Sequence, residues 1–245
     1  MVNSGPTALP FNQFAEDGSL RLATAATSGN IAIGLRSNCG IVLVVEKSPC
    51  GGLHNLGGRI GIAVSGTKGL DVSGGKSETG GKSEGEALVD LARSECATYR
   101  TSFGQDMPLR KLQSCLSAHI HAHTISSLTS PLDVTLVCAS HDDAGPVLYA
   151  IDPSGESLGY FGVIAGRGRD LAQKRLRAQT LSSMTLTELA KEAAVLAYVA
   201  NGNARTELEF GIAGEEGKFE MAHAQLVNEC HAYAARMMQG CGSDS

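Results

Sequence analysis

Two short stretches of the sequence hold residue types that could do chemistry, and spacing decides each of them. Gly74-Gly75-Lys76-Ser77-Glu78 recurs as Gly80-Gly81-Lys82-Ser83-Glu84. A phosphate-binding loop needs Gly-x4-Gly-Lys-Ser, so that backbone N–H groups wrap the phosphates and the lysine reaches the outer ones. Here Gly69-x4-Gly74 is followed by Gly75, and Gly75-x4-Gly80 by Gly81, so the lysine arrives one position late both times. The repeat reads as a linker and not as a nucleotide site. The second stretch is His119-x-His121-x-His123. On a helix His119 and His123 share a face, a workable ligand pair, while His121 points elsewhere. No carboxylate or cysteine nearby completes a metal set, so the reading is no metal, and a helix surface or subunit contact.

Composition bounds what must position such residues. Of 245 residues, 42% are hydrophobic and 18% charged, enough to bury a core and too apolar for wholesale disorder. Twenty Lys and Arg against 25 Asp and Glu give a net charge of −5, so no basic surplus argues for nucleic acid or an anionic membrane. Aromatic residues are 4% with no Trp, and Gly numbers 30, so the core is small-residue and aliphatic. The seven cysteines form an odd set without CxxC spacing, and Cys39, Cys96, Cys115 and Cys138 lie in or beside apolar segments. Reduced thiols packing as small hydrophobes fit that pattern. The first residues lack a basic region and an apolar run, so no signal peptide is expected, and no apolar run reaches the ~18 residues of a membrane span. The expectation is a soluble intracellular protein.

Periodicity predicts strands at Ile31–Leu35, Ile41–Val45 and Ile60–Val64, the first two as an antiparallel hairpin. Ile41–Val45 is apolar on both faces and must be covered on both sides. Residues 66–85, Gly-, Ser- and Lys-rich, read as a flexible surface insertion. Two helices follow, one with Leu88, Leu91, Ala92, Cys96, Tyr99 and Phe103 on its stripe and ended by Gly104, the other with Leu109, Leu112, Leu116 and Ile120. Strands return at Val134–Ser140, Val147–Asp152 and Leu158–Ala165. A helix pair at about 167–181 and 186–200 comes next, the latter capped by Thr185-x-x-Glu188. A strand at Leu208–Ile212 and a helix at about 219–238 close the pattern. Two strand blocks, each followed by a helix pair, bury everything if two sheets face each other under outer helices. The fold class is α+β.

Such a sandwich raises the question of nucleophilic catalysis. N-terminal nucleophile hydrolases carry a Thr, Ser or Cys at the mature N-terminus of the first strand, with its own α-amine as base. Here Ile31 takes that position, about thirty residues precede it, and Gly29-Asn30 offers no Gly-Thr processing junction. Isoleucine has no nucleophile.

Several segments, in order, resemble one family. They are Ala32-Ile33-Gly34-Leu35-Arg36, Val44-Val45-Glu46-Lys47, Arg59–Gly66, Leu91-Ala92-Arg93 with Tyr99-Arg100 and Phe103-Gly104, Pro108-Leu109, His121-Ala122, Leu148–Gly155, Gly159–Gly162 and Gly166-Arg167-Gly168-Arg169. Together they are similar to the alpha subunits of the 20S proteasome, most like their type-3 class. The resemblance implies the four-layer helix–sheet–sheet–helix sandwich of the N-terminal nucleophile hydrolases in a catalytically inactive form. It places residues 1–30 as an N-terminal gate or leader segment, 31–240 as one domain and 241–245 as a short tail. It implies a non-catalytic structural subunit of a heteroheptameric alpha ring, docked on beta subunits and receiving activators or a regulatory particle, in ubiquitin-dependent protein degradation. No cofactor, metal, nucleic acid or membrane is implied, and the location is cytoplasm and nucleus. The alternative is an active threonine-type peptidase subunit of the same fold.

Departures from the family pattern lie at the gate and pocket. Of the gate region Phe14, Asp17 and Gly18 match, while the Tyr-Asp positions read Thr7-Ala8 and the Gln-Val-Glu-Tyr positions Leu22-Ala23-Thr24-Ala25. Thr and Ala cannot supply a phenol–carboxylate hydrogen bond. Where many alpha subunits carry a lysine that pairs with an activator's C-terminal carboxylate, this chain has Gly51-Gly52.

Overall fold

The computed structural model describes residues 29–48, 51–66, 83–126 and 131–240. In chain order the first elements are β1 (Ala32–Arg36), β2 (Ile41–Glu46), β3 (Leu53–Asn55), β4 (Ile60–Gly66), α1 (Glu84–Phe103) and α2 (Leu109–Ile125). Then come β5 (Val134–Asp142), β6 (Gly145–Ile151), β7 (Ser157–Gly159), β8 (Gly162–Ala165), α3 (Arg169–Leu176), a 3-10 turn at Leu181–Ser183 and α4 (Leu186–Ala200). The last are β9 (Leu208–Ala213), β10 (Phe219–Met221) and α5 (Ala224–Gly240).

β1 and β2 form the expected hairpin, with Ala32 opposite Val45 and Arg36 opposite Ile41. They sit inside a five-stranded sheet of order β10-β9-β2-β1-β8, and a second five-stranded sheet runs β3-β4-β5-β6-β7. Side-chain alternation sorts the core into three slabs. Ile33, Leu35, Val42 and Val44 point from the first sheet into α4, where Ala193, Leu196 and Ala197 meet them, with Cys230 and Ala234 of α5 beyond. Ile60, Ile62, Val64 and Leu136 point from the second sheet onto Leu88, Ala92, Leu112 and Leu116 of α1 and α2. Between the sheets lie Ala32, Leu43, Val45, Ala63, Val137, Ala139 and Leu148. The layers are therefore helix, sheet, sheet, helix.

Small residues let the two sheets approach. A Cβ at Gly34 would stand 2.7 Å from Leu148 Cδ1 and 2.8 Å from Val137 Cγ1, closer than carbon atoms pack. The ring of Phe219 fills the space above Gly61 of one sheet and Gly211 of the other, where any Cβ would collide with it. β10 is tied across the gap as well, since Phe219 N donates to Gly58 O at 3.2 Å and Asn55 Nδ2 donates to Phe219 O at 2.6 Å.

Four expectations need correction. Leu53–Asn55 adds a strand, three residues long and paired to β4 as a sheet edge, too short for a periodic signal. Leu158–Ala165 is not one strand: β7 pairs with β6 and β8 with β1, so the chain changes sheets at Tyr160-Phe161. The helix expected at 167–181 stops at Leu176, and a 3-10 turn follows. The final helix starts at Ala224 and not at 219, because Phe219 serves the slab between the sheets and its strand.

The segment boundaries shift too. Gly66 ends β4, and Ser83 is the N-cap of α1, its hydroxyl accepting from Glu86 N at 3.2 Å while Glu86 Oε2 accepts from Ser83 N at 2.9 Å. Glu84 Oε2 accepts from Asp133 N at 2.9 Å. Of the stretch read at 66–85, Gly66 belongs to β4 and Ser83 to Gly85 to the start of α1; residues 67–82 lie outside the described residues, as do Phe14, Asp17, Gly18 and residues 241–245. At the other end Asn30, read as the last residue before the first strand, is buried.

Two outcomes test this packing. Gly61→Val is expected to cost about 3 kcal/mol or more, since an overpacked core loses ~1–3 kcal/mol and this site faces an aromatic ring; circular dichroism melts would show it. Adding Phe219→Ala should recover part of that loss, a non-additivity that only direct contact produces. The second concerns pH. His54, His119 and His231 all bind protons more weakly than the usual 6.5, first because of burial, aided by Arg93, His123 and Arg205 respectively. Below about pH 6.5 the unfolded chain takes up protons that the folded chain refuses, so stability falls as pH falls. The melting temperature should drop between pH 7 and 5. His231→Gln should flatten that slope.

Candidate functional site: the clamped start of the first strand

The place where a nucleophile would stand is the N-terminal end of β1, and three chain segments converge on it. The Asn30 carboxamide reaches β2 and β4 together: Nδ2 donates to Glu46 O at 3.3 Å and Val64 O at 3.1 Å, and Oδ1 accepts from Gly66 N at 3.0 Å. Its main-chain carbonyl accepts from Ser65 Oγ at 2.6 Å. The β8–α3 turn closes the third side, with Arg167 N donating to Gly29 O at 2.9 Å. Gly166 holds φ +88 with the Asn30 carbonyl so close that no Cβ fits. Glycine is needed there for both reasons.

One step into the strand, Ile31 is fully buried and its side chain belongs to the slab facing α4. Its peptide N–H donates to Glu46 Oε2 at 3.3 Å. Glu46 also accepts from Thr206 Oγ1 at 2.8 Å and forms an ion pair with Arg167, whose Nη2 reaches on to Asn201 Oδ1 at 3.1 Å. The carboxylate is thus committed to a guanidinium, a hydroxyl and a peptide N–H. The nitrogen of Ile31 is a peptide nitrogen with a donated proton, so it cannot accept one from a hydroxyl.

Sequence reasoning placed Ile31 at this position and did not see the cluster around it. Glu46 and Arg167 were legible only as members of two segments that carry the family resemblance, Val44-Val45-Glu46-Lys47 and Gly166-Arg167-Gly168-Arg169. Nothing in spacing ties Asn30, Glu46, Arg167 and Thr206 together, because they come from four segments.

Other candidates are structural. His121 Nδ1 lies 3.1 Å from Ser154 O, Ser117 Oγ donates to Gly155 O at 2.5 Å, and Thr124 Oγ1 donates to Pro153 O at 2.9 Å. These three residues of α2 seat the turn after β6, itself closed by Asp152 Oδ1 accepting from Ser154 N at 2.8 Å. The rings of His119 and His123 are 5.0 Å apart, and among the described residues no group of three or more His, Cys, Asp or Glu could hold a metal. Burial pushes the Cys138 thiol up to about 12 and the Cys230 thiol to about 11, so neither is a thiolate at neutral pH. Among the described residues no helix is long and apolar enough to cross a membrane.

The cluster should behave as a fold anchor. Glu46→Ala leaves Thr206, Arg167 and the Ile31 N–H without their acceptor, and a cost of about 2–3 kcal/mol is expected, since each buried polar group left unpaired costs ~1–3 kcal/mol. The Glu46 side chain is 12% exposed and that of Arg167 is 44% exposed. Arg167→Ala should therefore cost less, because the guanidinium is already partly hydrated. Equal losses, or no coupling in the double-mutant cycle, would contradict the geometry.

Comparison with known proteins agrees with this architecture. The chain matches the proteasome subunit family over residues 75–207. It is 31% identical to the proteasome subunit alpha type-3 of Drosophila melanogaster, with 84% of this chain and 82% of that one covered. It is 26% identical to the alpha type-3 subunit of Dictyostelium discoideum, covering 88% and 87%. A probable proteasome subunit alpha type-7 of Schizosaccharomyces pombe is 29% identical over 93% of this chain and 91% of its own length. A sandwich of two antiparallel sheets between helices, a first strand without a nucleophile, and alpha-type relatives over most of its length agree: the chain belongs to the proteasome subunit family and is similar to its alpha subunits of type 3.

Proposed function

We propose that this chain is a non-catalytic structural subunit of the alpha ring of the 20S proteasome, assembling with other alpha subunits and docking on the beta subunits that cleave substrate. The observation that carries the reading is the start of β1. On this reading Ile31 takes the position at which the fold's active members carry a nucleophile, and the nearby carboxylate is committed to Arg167 and Thr206. An active threonine-type peptidase needs a hydroxyl and a free α-amine at that point. This site supplies hydrogen bonds to the chain itself.

The role in ubiquitin-dependent degradation is then that of scaffold, in the cytoplasm and nucleus. Phe14, Asp17 and Gly18 are the gate-segment residues that match the family. Activator tails are held elsewhere on the ring than at Gly51. A Cβ there would run into the Asn30 carboxamide and Val64 O, which supports a glycine kept for packing.

The test separates scaffold from enzyme. Neither Asn30→Thr nor Ile31→Thr should create peptidase activity toward a fluorogenic peptide, because the new hydroxyl still lacks an α-amine. In the native particle a threonine-directed epoxyketone should label beta subunits and leave this chain unmodified, and intact mass should show no cut between Asn30 and Ile31. Covalent labelling of this chain would establish the peptidase instead. Native mass spectrometry of the endogenous protein should find it with other proteasome subunits, and its absence from such a particle would overturn the ring reading.

A further inference from the structure

The seam between α1 and α2 carries two thiols that the ring reading does not use. Cys96 lies eight residues before Gly104, which ends α1, and Cys115 seven after Pro108, which opens α2. At ~1.5 Å per residue each stands about 10–12 Å from the turn, so an antiparallel pair brings them to one level. Neighbouring side chains fix the facing. Lys111 Nζ stands 4.7 Å over the Tyr99 ring and 5.1 Å over the Phe103 ring, so this stripe of α2 looks across at that stripe of α1. One turn farther from the loop on each helix come Cys115 and Cys96. Both are half-buried free thiols, and both pack on the slab that α1 and α2 share with the second sheet.

Helices packed side by side lie ~8–10 Å apart and hold their Cα atoms ~2.3 Å from the axis, so facing Cα atoms come to about 4–6 Å. A disulfide bridges ~4.4–6.8 Å between Cα atoms. Electrostatics agrees with this placement: burial first of all raises the Cys96 thiol, and Cys115 is among the charges that add to the effect. Cys96 also lines a cavity of about 520 Å3 with Ile60, Met107 and Leu109, which gives a small oxidant a route to its sulfur. Cys138 shares the slab, yet it is fully buried on β5 and burial alone acts on its thiol. Cys230 belongs to the slab under α4, and Cys39 is exposed at the β1–β2 turn.

We infer that Cys96 and Cys115 are a modification site, joined by hydrogen peroxide into a reversible disulfide that staples α1 to α2. The Cys96 thiolate takes one oxygen of the peroxide and becomes a sulfenic acid, while the other oxygen leaves as water. The Cys115 thiolate then attacks that sulfur, the S–S bond forms, and the hydroxyl leaves as a second water. Two thiols give up two electrons and two protons, and the peroxide takes up both. Exchange with a small dithiol returns the reduced pair. A protonated, half-buried thiol is a slow nucleophile, so the pair stays reduced until oxidant is present. The bond closes a loop that contains the α1–α2 turn, and it thereby fixes how Phe103, 60% exposed, is presented. The inference does not rest on the ring reading.

Peroxide treatment of the full-length chain tests it. After oxidation, alkylation in denaturant and digestion without reductant, one pair of peptides should be joined through Cys96 and Cys115, and dithiothreitol should separate it. The oxidised chain should melt roughly 5 °C above the reduced one, since closing a loop restrains the unfolded chain. Cys115→Ser should abolish the joined pair and leave Cys96 as a sulfenic acid that dimedone labels; Cys115→Ala serves if the serine variant does not fold. Recovery of both cysteines as free thiols, or of either joined to Cys138 or another cysteine, would overturn the assignment and leave the pair as small apolar packing. A joined pair that melts no higher than the reduced chain would overturn the staple.

Discussion

Two adjacent strands without a polar face set the terms for everything else in this chain. β1 and β2 bury apolar side chains on both sides, so the sheet they centre needs cover above and below. The helices α4 and α5 cover one side. On the other a second sheet does the work, and a sheet brings its own far face, which then needs α1 and α2. Four layers follow from one hairpin by repeated application of the same rule: no apolar face is left to water.

The rule also accounts for which residues lie between the sheets. A slab shared by two sheets is thin, and Gly34, Gly61 and Gly211 admit Leu148, Val137 and the Phe219 ring where any larger residue would hold the sheets apart. Aromatics at 4% of the chain are therefore no deficiency. One ring at the right place closes the slab, and alanines and glycines receive it.

Much of this was legible in the sequence because hydrophobic period reports burial directly. The β1–β2 hairpin, the α2 stripe and the Thr185–Glu188 capping box stand where the sequence put them, and so does the α1 stripe except Phe103, which lies 60% exposed. What escaped has a common cause. β3 and β10 are three residues long, shorter than any period can be read over, and both exist because of partners distant in sequence. The Leu158–Ala165 run reads as one strand locally, and only pairing to β6 at one end and to β1 at the other divides it. Phe219 and Ala222 fit a helical spacing by coincidence of type. The ion pair of Glu46 with Arg167 spans more than a hundred residues, and no local pattern announces a contact of that range.

The same long-range cluster explains how a fold that elsewhere cleaves peptides can be stable as scaffold. An active site must leave a nucleophile and a base unsatisfied in the ground state, which costs stability. Here Asn30 joins the ends of β2 and β4, Glu46 collects Arg167, Thr206 and the Ile31 N–H, and the turn at Gly166 locks over both. Polar groups that chemistry would hold in reserve are spent on one another. The strand opening becomes a joint between two sheets and a helix layer. A subunit built this way can present its surfaces to neighbours in constant register, which is what a ring position asks of it and what a cleavage site does not.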